Sequence, residues 1–173
     1  MEKDEIKDFF GELIPDELIF KEETKSIDDM HLDLGKDFRE SFQRMGIKNI
    51  FIIEFDEMLG PKLKYFTNRD DILNKMLTNP AFTAEITIFA KYADEVRLKD
   101  GRKLVINEMI INNKQNYIFI EIGRGHMSPK PLKFSKYIHE ALMRKGEVNK
   151  DVLKKAIREA LTLVEKSTIG RLL

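Results

Sequence analysis

Three histidines, His31, His126 and His139, are the residues of this chain best suited to proton transfer or metal ligation. Ligation needs two or three donors at short helical or loop spacing, and no two of the three stand that way. His139 and Glu140 are sequence neighbours, so their side chains diverge on a helix. All three histidines read as solvent-exposed or capping residues. The chain has no cysteine, which excludes disulfides, thiolate nucleophiles and Cys-based metal sites. The stretch "GRGH", residues 123–126, offers two glycines to a phosphate, but no Gly-Lys-Ser/Thr follows, nor the third glycine of a dinucleotide fingerprint. It reads instead as a strand-to-helix connection in which Arg124 and His126 give a weak anion preference. Carboxylates are abundant, yet Asp56-Glu57 and Asp70-Asp71 fall at a turn and a helix start, where solvation and the helix dipole favour acids. No Gly-x-Ser-x-Gly motif appears, and no Ser/His/Asp set carries a local signature. These residues assign no catalytic group, metal or cofactor, and the expectation is a protein that is not an enzyme.

The elements that would position any site come next. A length of 173 residues with 42% hydrophobic and 35% charged content gives one compact domain with a real core, with or without an appended segment. There is no apolar run of transmembrane length, and the start "MEKDEIKD" is charged where a signal peptide is apolar, so a soluble cytoplasmic protein is expected. Abundant Lys, Glu and Ile, with few Gln and no Trp, lean towards a thermophile. Charge is unevenly distributed: residues 1–46 hold 14 of the 30 acids but 7 of the 30 bases. An acidic helical extension over 1–46, followed by a basic domain over 47–173, is the organisation this suggests.

Within the extension, Ile6, Phe9, Phe10, Leu13 and Ile14 fall at helical spacing before Pro15. They form a stripe for a partner or for self-docking on the domain. A second helix is expected over 27–45, with Ser26 as N-cap, Asp29 completing the capping box and Gly46 as the stop. The most apolar stretch is "IKNIFIIEFDEMLGPKLKYF", residues 47–66. Its first run is apolar on both alternating sets, Ile50 and Ile52 against Phe51, Ile53 and Phe55, as in a strand covered on both faces. The Gly60-Pro61 turn then makes it a hairpin, expected at the centre of the sheet, with Phe51 and Phe55 or the alternate set almost fully buried. Helices follow around Pro80, and "EITIFAKY" is read as helix although its composition also suits a strand. Asp100-Gly101 marks a further hairpin. "LVINEMIIN" and "NYIFIEIG" are strands joined by "NNKQ". Two closing helices end the chain, the last capped by Asn149. The order is strand, strand, helix, three strands, helix, helix: an α+β fold, a five-stranded antiparallel sheet flanked by helices.

That order, with the motif Phe55-Asp56 and Gly60-Pro61, resembles the longin/roadblock superfamily, and the hairpin looks like the one that opens archaeal-type longin-like domains. The resemblance covers about residues 47–168. It implies a non-enzymatic adaptor or scaffold that binds a protein partner, either a small GTPase, another longin- or roadblock-like chain, or a second copy of itself in a homodimer. Two other readings stay open. A ligand-sensing module of PAS or profilin type has a similar curved sheet. A nucleic-acid binder would use the basic C-terminal helices, where residues 124–171 hold 12 Lys/Arg against 5 Asp/Glu. Those bases alternate with an apolar stripe and lack an aromatic stacking platform, which argues against nucleic acid.

Overall fold

A computed structural model describes residues 28–172 of the chain, with side chains described as far as residue 166. The expected N-terminal stripe of Ile6, Phe9, Phe10, Leu13 and Ile14, and the Ser26 cap, lie outside the described residues. The described elements are α1 (Lys36–Met45), β1 (Ile47–Asp56), β2 (Gly60–Phe66), α2 (Leu73–Leu77), α3 (Pro80–Phe89), β3 (Glu95–Arg97), β4 (Lys103–Ile111), β5 (Lys114–Ile122), α4 (Pro129–Lys145) and α5 (Lys150–Leu172). The strands form one antiparallel sheet in the order β2-β1-β5-β4-β3.

The alternation seen in the sequence explains why helices cover both faces of this sheet. Ile50, Ile52, Val105, Ile118 and Ile120 point to one face and pack against Phe38 and Phe42 of α1, Phe134 and Ile138 of α4, and Ile157 of α5. Phe51, Ile53, Leu104, Ile106 and Phe119 point to the other and meet Leu73, Met76 and Leu77 of α2 with Phe82 and Ile86 of α3. Each large side chain removed from water this way contributes about 1.5–3 kcal/mol. The middle strand is β5, hydrogen-bonded to β1 on one side and β4 on the other. The 47–66 hairpin therefore sits off-centre, with β2 at an edge. Phe51, Ile50 and Ile52 are buried, but Phe55 is 40% exposed. Its strand runs past the helices that cover the rest of the face, beside the turn, so parity alone overstates its burial.

The helix expected over 27–45 is interrupted: residues 28–30 are helical, residues 31–35 are not, and α1 follows as a separate piece. It begins at Lys36, because Gly35 adopts a left-handed φ of 84° and Leu32 N–H donates to Phe66 O at 2.8 Å, drawing residues 31–32 against the outer edge of β2. Gly46 does stop it, in the left-handed region with its N–H bonded to Gln43 O. The strands expected to be joined by "NNKQ" continue further: Ile111 pairs Lys114, leaving a two-residue turn of Asn112 and Asn113 at φ 53° and 63°. Asparagine tolerates this conformation, which matches the twist of the flanking strands. Asn79 caps α3, its side chain accepting from Ala81 N–H, and Pro80 occupies the first turn.

Candidate functional site

The least expected chemistry lies inside the sheet–helix interface. On the face that carries Phe51 and Phe119, two strand positions hold polar side chains, Asn49 of β1 and Glu121 of β5, which stand opposite each other in register. Both are fully buried. Polar groups at such depth need partners, and the chain supplies them from two connections. From the segment joining β2 to α2, Thr67 N–H and Asn68 N–H donate to Asn49 Oδ1 at 3.0 and 2.9 Å. Asn49 Nδ2 donates in turn to Asp71 Oδ2 at 3.1 Å and Asn74 Oδ1 at 3.0 Å. From the loop between β3 and β4, Arg102 reaches Glu121 Oε2 at 3.0 Å and Asp100 Oδ2 at 2.7 Å, with Asp71 Oδ1 3.6 Å away.

The electrostatics of this knot follow from burial and charge. Burial, reinforced by the neighbouring Asp71 carboxylate, pushes the Glu121 carboxyl up to about 9, despite the opposing guanidinium of Arg102. Burial opposes the charge of Arg102, but Glu121 and Asp100 outweigh it and raise the guanidinium further. Burial also acts to raise Asp100, yet the Arg102 N–H and guanidinium hold it well below the usual carboxylate range. A neutral Glu121 is an acid in reserve, but its side chain and that of Asn49 have no exposed surface from which to reach a substrate. The arrangement ties two connections to the sheet.

The residues singled out in the sequence are distributed differently. Asp56 Oδ1 accepts from Met58 and Leu59 N–H at 2.8 and 3.1 Å, and these bonds lower the acid's pKa. Gly60 supplies φ 81° opposite Asp56, and Phe55 pairs with Pro61, so this motif is a turn-forming unit. The His126 ring packs onto Gly46, where a Cβ would lie 2.3 Å from it, while its backbone O accepts from Lys103 Nζ at 3.3 Å. Arg124 lies over Gly101. Both loop residues are exposed, and the structure separates their surroundings rather than aiming them at one point. His139 is half-buried, which lowers its pKa against the opposing charge of Glu140. His31 lies beside Phe66, ring centroids 5.8 Å apart. Among the described residues no group of three or more His, Asp or Glu is arranged to hold a metal, and no helix is long and apolar enough to cross a membrane.

Two surface features complete the inventory. Ile88, Phe89 and Tyr92, in and just after α3, are 57%, 47% and 83% exposed, although the opposite side of the same helix is buried. An open groove of about 610 Å³ runs between α1 and the β2–α2 connection, lined by Phe38, Arg39, Phe42, Lys48, Asn68 and Arg69 among others. The chain matches no protein-family model, no curated protein and no solved structure.

Sequence reasoning missed the knot because it read Asp71 as a solvated helix-start acid and gave Asn49, Arg102 and Glu121 no role. A signal existed: Asn49 precedes Phe51 and Ile53 by two and four positions, and Glu121 follows Tyr117 and Phe119 in the same way. A polar residue at a core parity position must be buried and paired, or it must end the strand.

Proposed function

We propose that this protein is a non-enzymatic adaptor of longin/roadblock type that binds a protein partner, a small GTPase or a second copy of itself. The observation that carries the reading is α3. A helix with apolar side chains on opposite sides has more than one surface to bury, and α3 turns Phe82 and Ile86 to the sheet and Ile88 and Phe89 to solvent. Contiguous exposed aromatic and aliphatic side chains mark association surfaces. Beside it, β3 ends the sheet with Glu95, Val96 and Arg97, and no described strand pairs its outer side. The opposite edge, β2, is bridged at Phe66 by His31. The strand order and the placement of a helical excursion between β2 and β3 add to the resemblance already noted.

The test is sedimentation of the chain alone, together with binding to GTP- and GDP-loaded small GTPases, for the wild type and Ile88→Asp. Association abolished by Ile88→Asp is the expected result. A monomer that binds no GTPase, or an association indifferent to Ile88→Asp and Tyr92→Asp, defeats the reading. The ligand-sensing alternative draws on the groove of about 610 Å³ beside α1. A native mass spectrum that shows a retained small molecule would favour it.

A further inference from the structure

The segment between β2 and β4, residues 67–102, carries α2, α3 and the short edge strand β3, which pairs with β4 alone. Both of its ends converge on one strand residue. Arg102, at its end, donates through Nη1 to Glu121 Oε2 at 3.0 Å, and Asp71 Oδ1, at its start, lies 3.6 Å from that same nitrogen, so the two acids are neighbours. Glu121 Oε1 has no donor among the described residues, although it is fully buried. The charged groups facing Glu121 are Asp71 from the β2–α2 connection and Arg102, with Asp100 behind it, from the β3–β4 loop. Its in-register neighbours, Asn49 and Leu104, bring no charge.

The buried carboxylates decide where a proton must sit. Asp71 and Glu121 both face the one guanidinium of Arg102, at 3.6 and 3.0 Å, and two adjacent buried carboxylates cannot both ionise without a large penalty. Asp71 already accepts from Asn49 Nδ2 and from Leu73 N–H at 3.0 Å, and Asp100 accepts from Arg102 N–H and Nε. Glu121, with one acceptor bond and one unserved oxygen, is the carboxyl left to take the proton. A proton there supplies the donor that a pair of neighbouring carboxylates otherwise lacks.

We propose that the proton on Glu121 is a clasp: it fixes the α2–α3–β3 excursion to the sheet, and its loss to solvent frees that excursion while the layer of α1, α4 and α5 stays folded. Ionisation puts two carboxylates face to face, with Arg102 able to compensate only one, and the repulsion acts on Asp71, the root of the excursion. Resting on the adaptor reading, the clasp also controls whether the α3 surface is presented to a partner.

The sign follows from linkage. A carboxyl raised from 4.5 to about 9 binds a proton in the closed state that the opened state releases. Opening of the excursion therefore becomes more favourable by about tenfold per pH unit as pH rises towards the closed-state value, and levels off above it. His139, lowered from 6.5, and Tyr65 and Tyr117, raised from 10, titrate outside the interval from pH 7.5 to 9.

The experiment is limited trypsin proteolysis of the full chain from pH 7 to 10, each rate divided by that of the unfolded chain at the same pH. Cleavage at Lys91, Arg97 and Lys99 should rise about tenfold per pH unit and then flatten, whereas cleavage at Lys155 and Arg158 in α5 stays constant. In Glu121→Gln, whose amide mimics the protonated acid, the rise should vanish. A flat wild-type profile, or a rise equal in wild type and Glu121→Gln, overturns the clasp. Should Glu121→Gln fail to fold, infrared spectra of the wild type in D₂O decide. A protonated carboxyl band present at pH 7.5 and lost by pH 10 supports the clasp, and its absence at pH 7.5 overturns it. Association measured in parallel separates the two readings. A pH-responsive excursion in a chain with no partner defeats the adaptor reading alone, and an association indifferent to pH while the excursion loosens removes the control attributed to the clasp.

Discussion

The two helical layers cover the same sheet but end differently at solvent. In the layer of α1, α4 and α5, each buried stripe is backed by charge. Lys155, Arg158 and Glu159 face outward along α5, Arg144 pairs with Glu159, and Arg44 lies 3.6 Å from Glu165. In the layer of α2 and α3, the outward side of α3 presents Ile88 and Phe89, with the charge of Glu85 on the same exposed side. Among the described residues, the first layer leaves only the scattered side chains Met143 and Leu163 exposed among its charges, whereas the second gathers Ile88, Phe89 and Tyr92 in one place. The contrast teaches that overall composition hides how charge is allotted to individual faces, and that the allotment, rather than the fold, is what the proposed association rests on.

That comparison can be broken by substitution. The largest effects should come from the two cores, which are equally dry. Phe134→Ala in the first layer and Phe51→Ala in the second should each lower the urea-unfolding free energy by about 3–5 kcal/mol, since both side chains are fully buried. Phe55→Ala should change it by less than about 1 kcal/mol. If either core substitution is mild, the cores are not equally closed. Next comes Asn49→Ala, which takes the partner of Asn68 N–H and of Asn74 Oδ1 and one donor of Asp71, while Thr67 N–H keeps the Ile50 carbonyl. A loss of about 2–4 kcal/mol is expected, and a value below about 1 kcal/mol would show that water enters the knot. Ile88→Asp should leave unfolding within about 0.5 kcal/mol of wild type while weakening association tenfold or more, about 1.4 kcal/mol, as read by sedimentation. The reverse outcome would make α3 a structural helix with an incidental surface. Smallest of all, Arg144→Ala in the first layer should cost about 0–1 kcal/mol, shrinking further in high salt.

Much of the sheet was legible in the sequence because strand alternation and turn chemistry are local. Ile50, Ile52 and Phe51 announce a two-sided strand; Gly60-Pro61 and Asp100-Gly101 announce reversals; Asn149 announces α5, where its side chain accepts from Val152 N–H at 3.0 Å. What local reasoning misplaced depends on distant chain. Leu32 leaves the expected helix because Phe66, far along the sequence, offers a carbonyl. Phe55, at the turn end of β1, joins neither buried cluster. The Asn49–Asp71–Arg102–Glu121 knot needs four segments brought together, and no spacing rule anticipates it, although the intrusion of a carboxylate into "YIFIEIG" is visible once strand parity is applied to polar residues as strictly as to apolar ones.

The order of strands in the sheet also bears on how the chain emerges from a ribosome. Strand β5 is the keystone, bonded to both β1 and β4, yet it is the last strand made. While it is still being synthesised, β1 has a neighbour only in β2, and its remaining edge and two apolar faces await a partner roughly sixty residues behind, several seconds at common elongation rates. Such long-range closure is slow, and the waiting edge can pair with other chains. Truncated products that end before Lys114 should therefore aggregate, and only chains extended through α5 should be recovered as folded protein. Vectorial synthesis thus makes the last third of the sequence the step that commits the first two-thirds to their fold.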